Sequence, residues 1–237
     1  MGRILKLHRL VPPGRKALIV AMDQPRAIHV PSLGDPGRVL DDLRPADVDA
    51  YLLTLATARH FESHLGGRAV VISVSQDYQD APRVMEQAAA FGASGVKYEI
   101  FPYSDGELAS MRGFEALAVH ADRWEMPLMA EVVPGGFDQT EVHTADNLRD
   151  SVRRAAEAGA DLAKIPPPTQ GTLPEVTAYA SVPVLLLGGA RRGNIADAVA
   201  RAKQFAPFVD GLVFGRYVVE DPEPAKVASA LRAALSA

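Results

Sequence analysis

Eight short apolar runs, separated by stretches with helical patterning, extend along this chain of 237 residues. The runs cover residues 17–22, 50–55, 69–74, 95–100, 127–133, 161–165, 182–187 and 211–214. Continuous apolar runs without strict polar alternation are typical of parallel strands that are covered on both faces. The pattern therefore predicts eight parallel strands, each followed by a connecting segment.

The segments between the runs are typical of helices, and glycines such as Gly92 and Gly159 follow several of them directly before the next strand. We expect helices from about residue 38 and over 56–65, 82–91, 107–124, 144–158, 194–205 and 223–235. Eight such units predict an α/β fold: a single (β/α)8 TIM-barrel domain over residues 1–237, with residues 1–16 covering the barrel bottom. An open, doubly wound sheet is the alternative, but the number of units and their even spacing favour the barrel.

Composition excludes several classes of site and partner. The chain has no Cys, so disulfides, thiolate metal sites and thiolate nucleophiles are excluded. The net charge of −4 gives no electrostatic case for nucleic acid or an anionic membrane, and no apolar run approaches the roughly 20 residues of a membrane helix. No secretory signal is visible, so we expect a cytoplasmic protein. No His stands at a strand end, and we interpret His60 and His64 as a solvated helix face, so no metal or other cofactor is expected.

Four ionisable residues follow or interrupt apolar runs at the strand ends where TIM barrels carry their chemistry: Asp23, Lys97, Glu131 and Lys164. A charge inside a barrel is costly unless it is paired, so one interpretation is a buried structural ion-pair network. The other is a Schiff-base site, in which burial and a second cation lower the pKa of a lysine so that its amine can attack a carbonyl. A nearby carboxylate would then move protons.

Glycine-rich turns follow the seventh and eighth runs. The first contains Gly188, Gly189 and Arg191, and the second contains Gly215 and Arg216. Such turns let backbone N–H groups approach a phosphate, and the loops after strands seven and eight form the usual phosphate site of this fold. The alternative is that these glycines only permit tight turns.

These same residues carry a resemblance to a known group of enzymes. Residues 9–25 resemble the opening of bacterial and archaeal class I fructose-bisphosphate aldolases, and the pair Asp23–Gln24 is closer to class I tagatose-1,6-bisphosphate and sulfosugar-phosphate aldolases. Residues 159–165 are similar to the Schiff-base strand of both groups. Residues 95–98 and 128–133 resemble the strands that bear the second Lys and the Glu of the tagatose type, and 187–190 and 211–216 resemble the phosphate loops.

The resemblance implies a role for each candidate residue. Lys164 would form the Schiff base, Glu131 would be the general acid/base, and Lys97 would lower the pKa of Lys164 and orient Glu131. Asp23 would hold substrate hydroxyls or serve as an alternative proton shuttle. The residues implied to bind substrate or its phosphate are Gln24, Arg26, Gly188, Gly189, Arg191, Gly215 and Arg216. Val133 stands where the fructose type has its Tyr, so Tyr98 and Tyr103 are further alternatives for the shuttle.

The expected function is that of a class I, metal-independent aldolase that makes or breaks a carbon–carbon bond in a phosphorylated keto sugar, with dihydroxyacetone phosphate as the ketone part. Two alternatives stay open: a transaldolase-like or biosynthetic synthase on the same scaffold, and a non-catalytic barrel that senses phosphosugars. The expected partner is a small phosphorylated sugar or keto compound, and self-association into a homo-oligomer stays open.

Overall fold

All eight predicted strands form, and they close into one barrel in sequence order, with every neighbouring pair parallel, β8 against β1 included. The computed structural model describes residues 2–74, 80–189 and 193–236. The strands are β1 Ala17–Ala21, β2 Ala50–Leu53, β3 Ala69–Val74, β4 Gly95–Ile100, β5 Leu128–Val132, β6 Leu162–Ile165, β7 Val184–Leu187 and β8 Gly211–Phe214. The TIM-barrel prediction is confirmed, and the open sheet is excluded because β1 and β8 pair.

Helices surround the barrel. They are α1 Gly2–Leu10, α2 Pro36–Leu43, α3 Leu55–His60, α4 Ala81–Phe91, α5 Glu107–Arg123, α6 Ala145–Glu157, α7 Leu173–Thr177, α8 Ile195–Phe205, α9 Arg216–Val219 and α10 Pro224–Leu235. Two short helices, α7 and α9, are absent from the sequence prediction. Five residues and four residues are too few to show a helical period, so the pattern carries no signal for them.

Local capping residues fix where several helices begin and end. Asp35 accepts a hydrogen bond from the N–H of Arg38 at the start of α2, and Thr54 accepts one from Thr57 at the start of α3. Thr54 therefore ends β2 two residues earlier than its apolar run predicts. At the other end of α4, Gly92 adopts a left-handed conformation with φ of 82° and stops the helix before β4.

Apolar side chains form two separate clusters, one between the strands and the helices and one inside the barrel. The inner cluster includes Ile19, Val71, Met129 and Leu162, together with Leu10 from α1. Leu10 lies beneath the start of β4, where a Cβ on Gly95 would come within 2.8 Å of its Cδ1 atom. Glycine at the first position of β4 therefore gives α1 the room to pack against the amino-terminal end of the barrel.

Inward-facing positions change from apolar to charged toward the carboxyl end of the strands. On β5 the order is Met129 then Glu131, and on β6 it is Leu162 then Lys164. Side chains alternate along a strand, so residues two apart share the inner face. The apolar cluster thus forms the floor on which the charged residues lie. In the described parts of the chain, no helix is both long enough and apolar enough to cross a membrane.

Candidate active site

The four charges predicted from the strand ends meet in one cluster. The Nζ atom of Lys97 lies 2.7 Å from Oε2 of Glu131 and 3.2 Å from Oδ2 of Asp23. The Nζ atom of Lys164 lies 2.7 Å from Oε1 of the same glutamate. Strand register explains this, because Glu131 and Lys164 are direct partners across the β5–β6 ladder. Glu131 is therefore a bridge between two lysines, one on each neighbouring strand.

Among the described residues, Lys97 has three carboxylate neighbours. Besides Glu131 and Asp23, its Nζ donates to Oε1 of Glu99 at 2.7 Å. An ammonium group has three N–H donors, so these three acceptors use all of them. Burial would lower the pKa of Lys97, but the attraction of Glu131, Asp23 and Glu99 outweighs burial and raises the pKa above its usual value. Lys97 is thus a fixed cation whose side chain is 1% exposed.

Glu131 is buried and ionised. Burial alone would raise the pKa of this carboxyl, but the positive charges of Lys164 and Lys97 outweigh burial and hold the pKa below its usual range. The side chain of Glu131 is 4% exposed and points into the barrel, as alternation with the outward-packed Ala130 and Val132 predicts. The 2.7 Å contact with Lys164 places this carboxylate to exchange a proton with that lysine, while Lys97 stays charged.

Asp23 follows β1 and reaches the cluster from the far side. It accepts a hydrogen bond from the hydroxyl of Ser73 at 2.6 Å as well as the contact from Lys97. Burial would raise its pKa, but attraction by Lys97 and Lys164, with the hydrogen bond from Ser73, lowers it below the usual value. Asp23 is therefore an anion held at the barrel mouth by β3 and β4.

The turns after β7 and β8 differ in how their glycines are hydrogen-bonded and packed. The N–H of Gly188 donates to the carbonyl oxygen of Val213 at 2.8 Å, so this amide extends the β7–β8 ladder and offers no donor to a phosphate. Gly189 has φ of 75°, a left-handed conformation that favours glycine. Beyond β8, Gly215 lies so close to Gln24 that a Cβ would collide with the side-chain amide of Gln24. The end of β1 and the end of β8 are thereby packed together.

Arginines lie near both turns. Arg201 of α8 donates to the carbonyl oxygen of Gly188 at 3.0 Å, and Arg216 directly follows Gly215. Arg191 and the side chain of Arg26 lie outside the described residues, so their predicted roles in binding substrate stay predictions. The described part of the turns thus combines a left-handed glycine with a guanidinium group bound to Gly188 and with Arg216 at the first position of α9.

A comparison with protein families matches residues 17–220 to the model described as DeoC/LacD family aldolase. The chain belongs to this aldolase family. The matched range begins with β1 and ends just after α9, so it contains every strand of the barrel and every residue of the charged cluster.

Individual relatives of this chain include proteins named as synthases. The 2-amino-4,5-dihydroxy-6-oxo-7-(phosphonooxy)heptanoate synthase of Streptomyces griseus is 26% identical over 204 residues, which cover 81% of this chain and 74% of that protein. The 2-amino-3,7-dideoxy-D-threo-hept-6-ulosonate synthase of Halobacterium salinarum is 24% identical over 242 residues, covering 98% and 91%. Relatives of this chain are thus named for synthesis rather than for cleavage.

Solved structures of aldolases share the fold. A Schiff-base-forming fructose-1,6-bisphosphate aldolase superposes with a TM-score of 0.83 at 23% identity, covering 98% of this chain and 99% of that one. An archaeal fructose-1,6-bisphosphate aldolase, with its catalytic lysine bound to the carbinolamine intermediate, gives 0.84 at 22% identity and covers 99% and 100%. At these identities the likeness establishes the barrel architecture.

Three residues of this aldolase's site were missed by sequence reasoning. Glu99 lies two positions after Lys97, on the same face of β4, so the alternation rule could have found it. Ser73 lies inside an apolar run and has no charge to mark it. Arg201 lies on a helix more than ten residues after Gly188, and only the packing of α8 brings the two together.

Two tyrosines considered as proton shuttles do not reach the cluster. The hydroxyl of Tyr98 lies against Gly113 of α5, on the outer side of the barrel, and the hydroxyl of Tyr103 donates to Asp150 at the surface. The structure therefore does not support either alternative, because each side chain points toward the helices. Of the helical pair, His64 contacts Asp41 at 2.9 Å. Within residues 2–74, 80–189 and 193–236, no three His, Cys, Asp or Glu side chains are grouped to hold a metal.

Proposed function

We propose that this family member is a metal-independent, Schiff-base-forming aldolase that acts on a phosphorylated keto compound, with Lys164 as its nucleophile. One contrast carries the proposal. Lys97 has three carboxylate partners and is held as a cation, whereas Lys164 pairs with Glu131 among the described residues. Only an unprotonated amine attacks a carbonyl, so the lysine with fewer anionic partners is the better nucleophile.

Glu131 can bring Lys164 into the reactive form without help from solvent. The two groups are 2.7 Å apart, so a proton moves from the ammonium of Lys164 to the carboxylate of Glu131 and leaves a neutral amine beside a carboxylic acid. The pair holds the same proton before and after this transfer. Lys97 stays charged throughout and keeps the other oxygen of Glu131 in place.

The chemistry then follows from these two groups. The amine of Lys164 attacks the carbonyl carbon of dihydroxyacetone phosphate, and proton exchange with Glu131 converts the adduct to a neutral carbinolamine. Glu131 donates its proton to the carbinolamine hydroxyl, which leaves as water, and a protonated imine and a carboxylate result. A carboxylate, Glu131 or Asp23, removes a proton from the neighbouring carbon to form the enamine. The enamine carbon attacks an aldehyde, whose oxygen takes that proton.

The phosphate half of the substrate would occupy the turns after β7 and β8. Arg216 supplies charge, and Gly189 and Gly215 supply backbone in conformations that permit close approach. Gln24, packed against Gly215, would contact the adjacent substrate atoms. We include Arg26 and Arg191 in this site on the resemblance alone. Asp23 would bind substrate hydroxyls when it is not moving protons. A cytoplasmic location and homo-oligomerisation stay predictions.

The relatives favour one second candidate, a synthase that joins a keto donor to an unusual aldehyde. Two relatives with good coverage are named as synthases of amino-substituted seven-carbon products. Such an enzyme would use the same imine on Lys164 but would cleave hexose bisphosphates poorly. The two candidates therefore differ in the aldehyde, not in the nucleophile.

Borohydride trapping tests the proposal directly. Protein incubated with dihydroxyacetone phosphate and borohydride should carry a stable adduct on the peptide that contains Lys164, located by mass mapping. The chain has only six lysines, at 6, 16, 97, 164, 203 and 226, so the site is easily assigned. Lys164→Met should lose the adduct, while the surface variant Lys226→Met should keep it.

Other outcomes would change the assignment. An adduct on Lys97 would reverse the roles of the two lysines, and no adduct with any of a panel of keto phosphates would contradict the Schiff-base mechanism. Trapping that is accompanied by cleavage of hexose bisphosphates favours the aldolase. Trapping with condensation only favours the synthase, and ligand binding without carbon–carbon exchange favours a sensor.

A further inference from the structure

Glu99 is the one carboxylate partner of Lys97 that neither the motifs nor the proposed mechanism uses. It lies on β4 directly opposite Glu131 of β5 in the strand register, and its Oε1 atom lies 2.7 Å from Nζ of Lys97. At 20% exposure its side chain is the most accessible of the three carboxylates around Lys97, compared with 10% for Asp23 and 4% for Glu131. Lys97 already has two other carboxylate partners, so the presence of a third needs an explanation.

The three carboxylates that hold the ammonium of Lys97 come from three different parts of the barrel. Asp23 comes from the end of β1, Glu131 from β5 and Glu99 from β4 itself. If Glu99 were absent, one N–H of the ammonium would lose its partner, and Lys97 would be free to move toward the other two anions. Glu99 therefore helps to set where the positive charge lies relative to Glu131.

The negative charge of Glu99 has a second effect, on the protonation of the Glu131–Lys164 pair. The described groups that face Glu131 are Lys164 on β6, Lys97 and Glu99 on β4, and Asp23 after β1, with the hydroxyl of Ser73 bound to Asp23. Around the Glu131–Lys164 pair, one lysine, Lys97, stands against two carboxylates, Asp23 and Glu99, which leaves an excess of one negative charge next to the pair. Negative charge nearby favours the protonated form of an acid and the retention of a proton.

The order of the strands determines whether the charge of Glu99 acts more strongly on Glu131 or on Lys164. Glu99 is on the strand next to Glu131 and two strands away from Lys164. Its charge therefore acts more strongly on Glu131 than on Lys164, since electrostatic interaction falls with distance. Relative to the ion pair, the charge of Glu99 therefore increases the share of the form with the proton on Glu131 and a neutral amine on Lys164, which is the form that attacks a carbonyl.

We propose that Glu99 is a positioning residue, which holds the ammonium of Lys97 beside Glu131 and biases the shared proton of the Glu131–Lys164 pair toward Glu131. This inference rests on the proposed function. In this role Glu99 acts through Lys97 and through its charge.

The test compares Glu99→Gln with Glu99→Asp in the full chain. Glu99→Gln keeps the size and an acceptor oxygen but removes the charge, so kcat should fall about tenfold, the equivalent of about one pH unit of lost proton affinity. Both limbs of the pH–rate profile should move to lower pH, the acid limb about one unit further than the alkaline limb, and the downward shift of the alkaline limb is the practical readout. The KM for the phosphorylated ketone should stay within about twofold, because β7 and β8 are on the other side of the barrel from β4.

Glu99→Asp keeps the charge and should keep the alkaline limb near its wild-type position, even if kcat falls because the shorter side chain loses contact with Lys97. Glu223→Gln removes the carboxylate from an exposed pair with Lys226 and should change neither quantity. A Glu99→Gln enzyme with a lower kcat and an unmoved alkaline limb would overturn the inference, since a purely structural role has that result. Unchanged kcat would overturn it as well.

Borohydride trapping in the same proteins separates this inference from the proposed function. If wild-type protein traps the ketone on Lys164 and the limb does not move in Glu99→Gln, only the role of Glu99 is wrong. If wild-type protein traps nothing, the Schiff-base mechanism itself is wrong.

Discussion

Each end of the barrel holds a cluster of opposite charges around a buried carboxylate, and the two clusters contain different cations. At the carboxyl end of the strands, Lys97 and Lys164 pair with carboxylates of β4, β5 and the end of β1. At the amino end, Asp49 pairs with Arg15 and with Arg232 of α10, and accepts the N–H of Leu18 at 2.8 Å. Both central carboxylates, Glu131 and Asp49, are almost fully buried.

The chemistry of the two cations limits what each cluster can do. A guanidinium does not lose its proton in proteins, so the arginine cluster is fixed in charge and can only hold α10 and β2 together. A lysine can give up its proton when its surroundings permit, and a carboxylate can accept that proton. The lysine cluster can therefore change its protonation state while the fold stays the same. Chemistry is expected at one end and stability at the other.

Removal of the proposed nucleophile should have the largest effect. Lys164→Met is expected to lower kcat by on the order of 10⁶-fold, as deletion of a covalent nucleophile does in other enzymes. The fold should survive, because Met has a side chain of similar length and Glu131 keeps its contact with Lys97. Steady-state assays and thermal melts should be run with Lys226→Met as control. Activity within tenfold of wild type would show that Lys164 is not the nucleophile.

Loss of the proton carrier should come next. Glu131→Gln keeps the shape of the side chain and is expected to lower kcat by about 10²–10⁴-fold, the usual contribution of a general acid–base group, while phosphate-ligand binding is kept. Slow imine formation would place Glu131 at the carbinolamine step, and normal trapping with lost cleavage would place it at the carbon–carbon step. A wild-type kcat would transfer the role to Asp23.

Removal of the fixed cation should reverse the pH dependence of stability. In the wild type the pKa values of Asp23 and Glu131 lie below their unfolded values of 3.8 and 4.5, so their stabilisation is present above those values and is lost as pH falls through the folded values. Lys97→Met removes the cation shared by three carboxylates and leaves Lys164 to compensate them, which costs about 3–5 kcal/mol at pH 7.

Burial then raises the carboxyl pKa values in the variant, so its folded state binds more protons than its unfolded state, and it should become more stable from pH 7 to pH 5. Melting temperatures across this range measure the slope, with Lys226→Met as control. A slope equal to that of the wild type would show that Lys97 does not compensate these charges.

Breaking the arginine cluster should affect stability alone. Asp49→Ala removes the shared partner of Arg15 and Arg232 and the acceptor of the Leu18 N–H, and is expected to cost about 3 kcal/mol. Denaturant unfolding gives the change, and kcat of the remaining folded protein should equal that of the wild type. A specific loss of kcat would contradict the division of roles between the two ends.

The smallest effect is expected at the phosphate turns. A charge-assisted contact is worth roughly 1.5–3 kcal/mol, so Arg216→Ala should raise KM for a phosphorylated ketone by about 10–150-fold. The unphosphorylated analogue should be nearly unaffected. Arg232→Ala, at the other end of the barrel, is the control for KM. Equal losses for both substrates would remove Arg216 from the phosphate site.

Much of this arrangement could be read from the order of residues. The eight apolar runs predict the strands because burial on both faces demands continuous apolar residues. Lys97, Glu131 and Lys164 stand out for the opposite reason, since a charge within such a run is costly unless it has a partner. Alternation along β4 also places Glu99 on the same face as Lys97, although Glu99 was not picked out from the sequence.

The partners themselves were decided only by the tertiary structure. The sequence did not indicate that Lys97, and not Lys164, would contact three carboxylates. That depends on which side chains the register of β4, β5 and the end of β1 brings together. The same holds for Tyr98, whose outward rotation follows from the side of β4 it occupies, and for Arg201, which reaches Gly188 across the packing of α8. Periodicity along the chain is a local property that a sequence determines by itself. Contacts between strands and helices depend on closure of the barrel, which brings distant segments within hydrogen-bond reach.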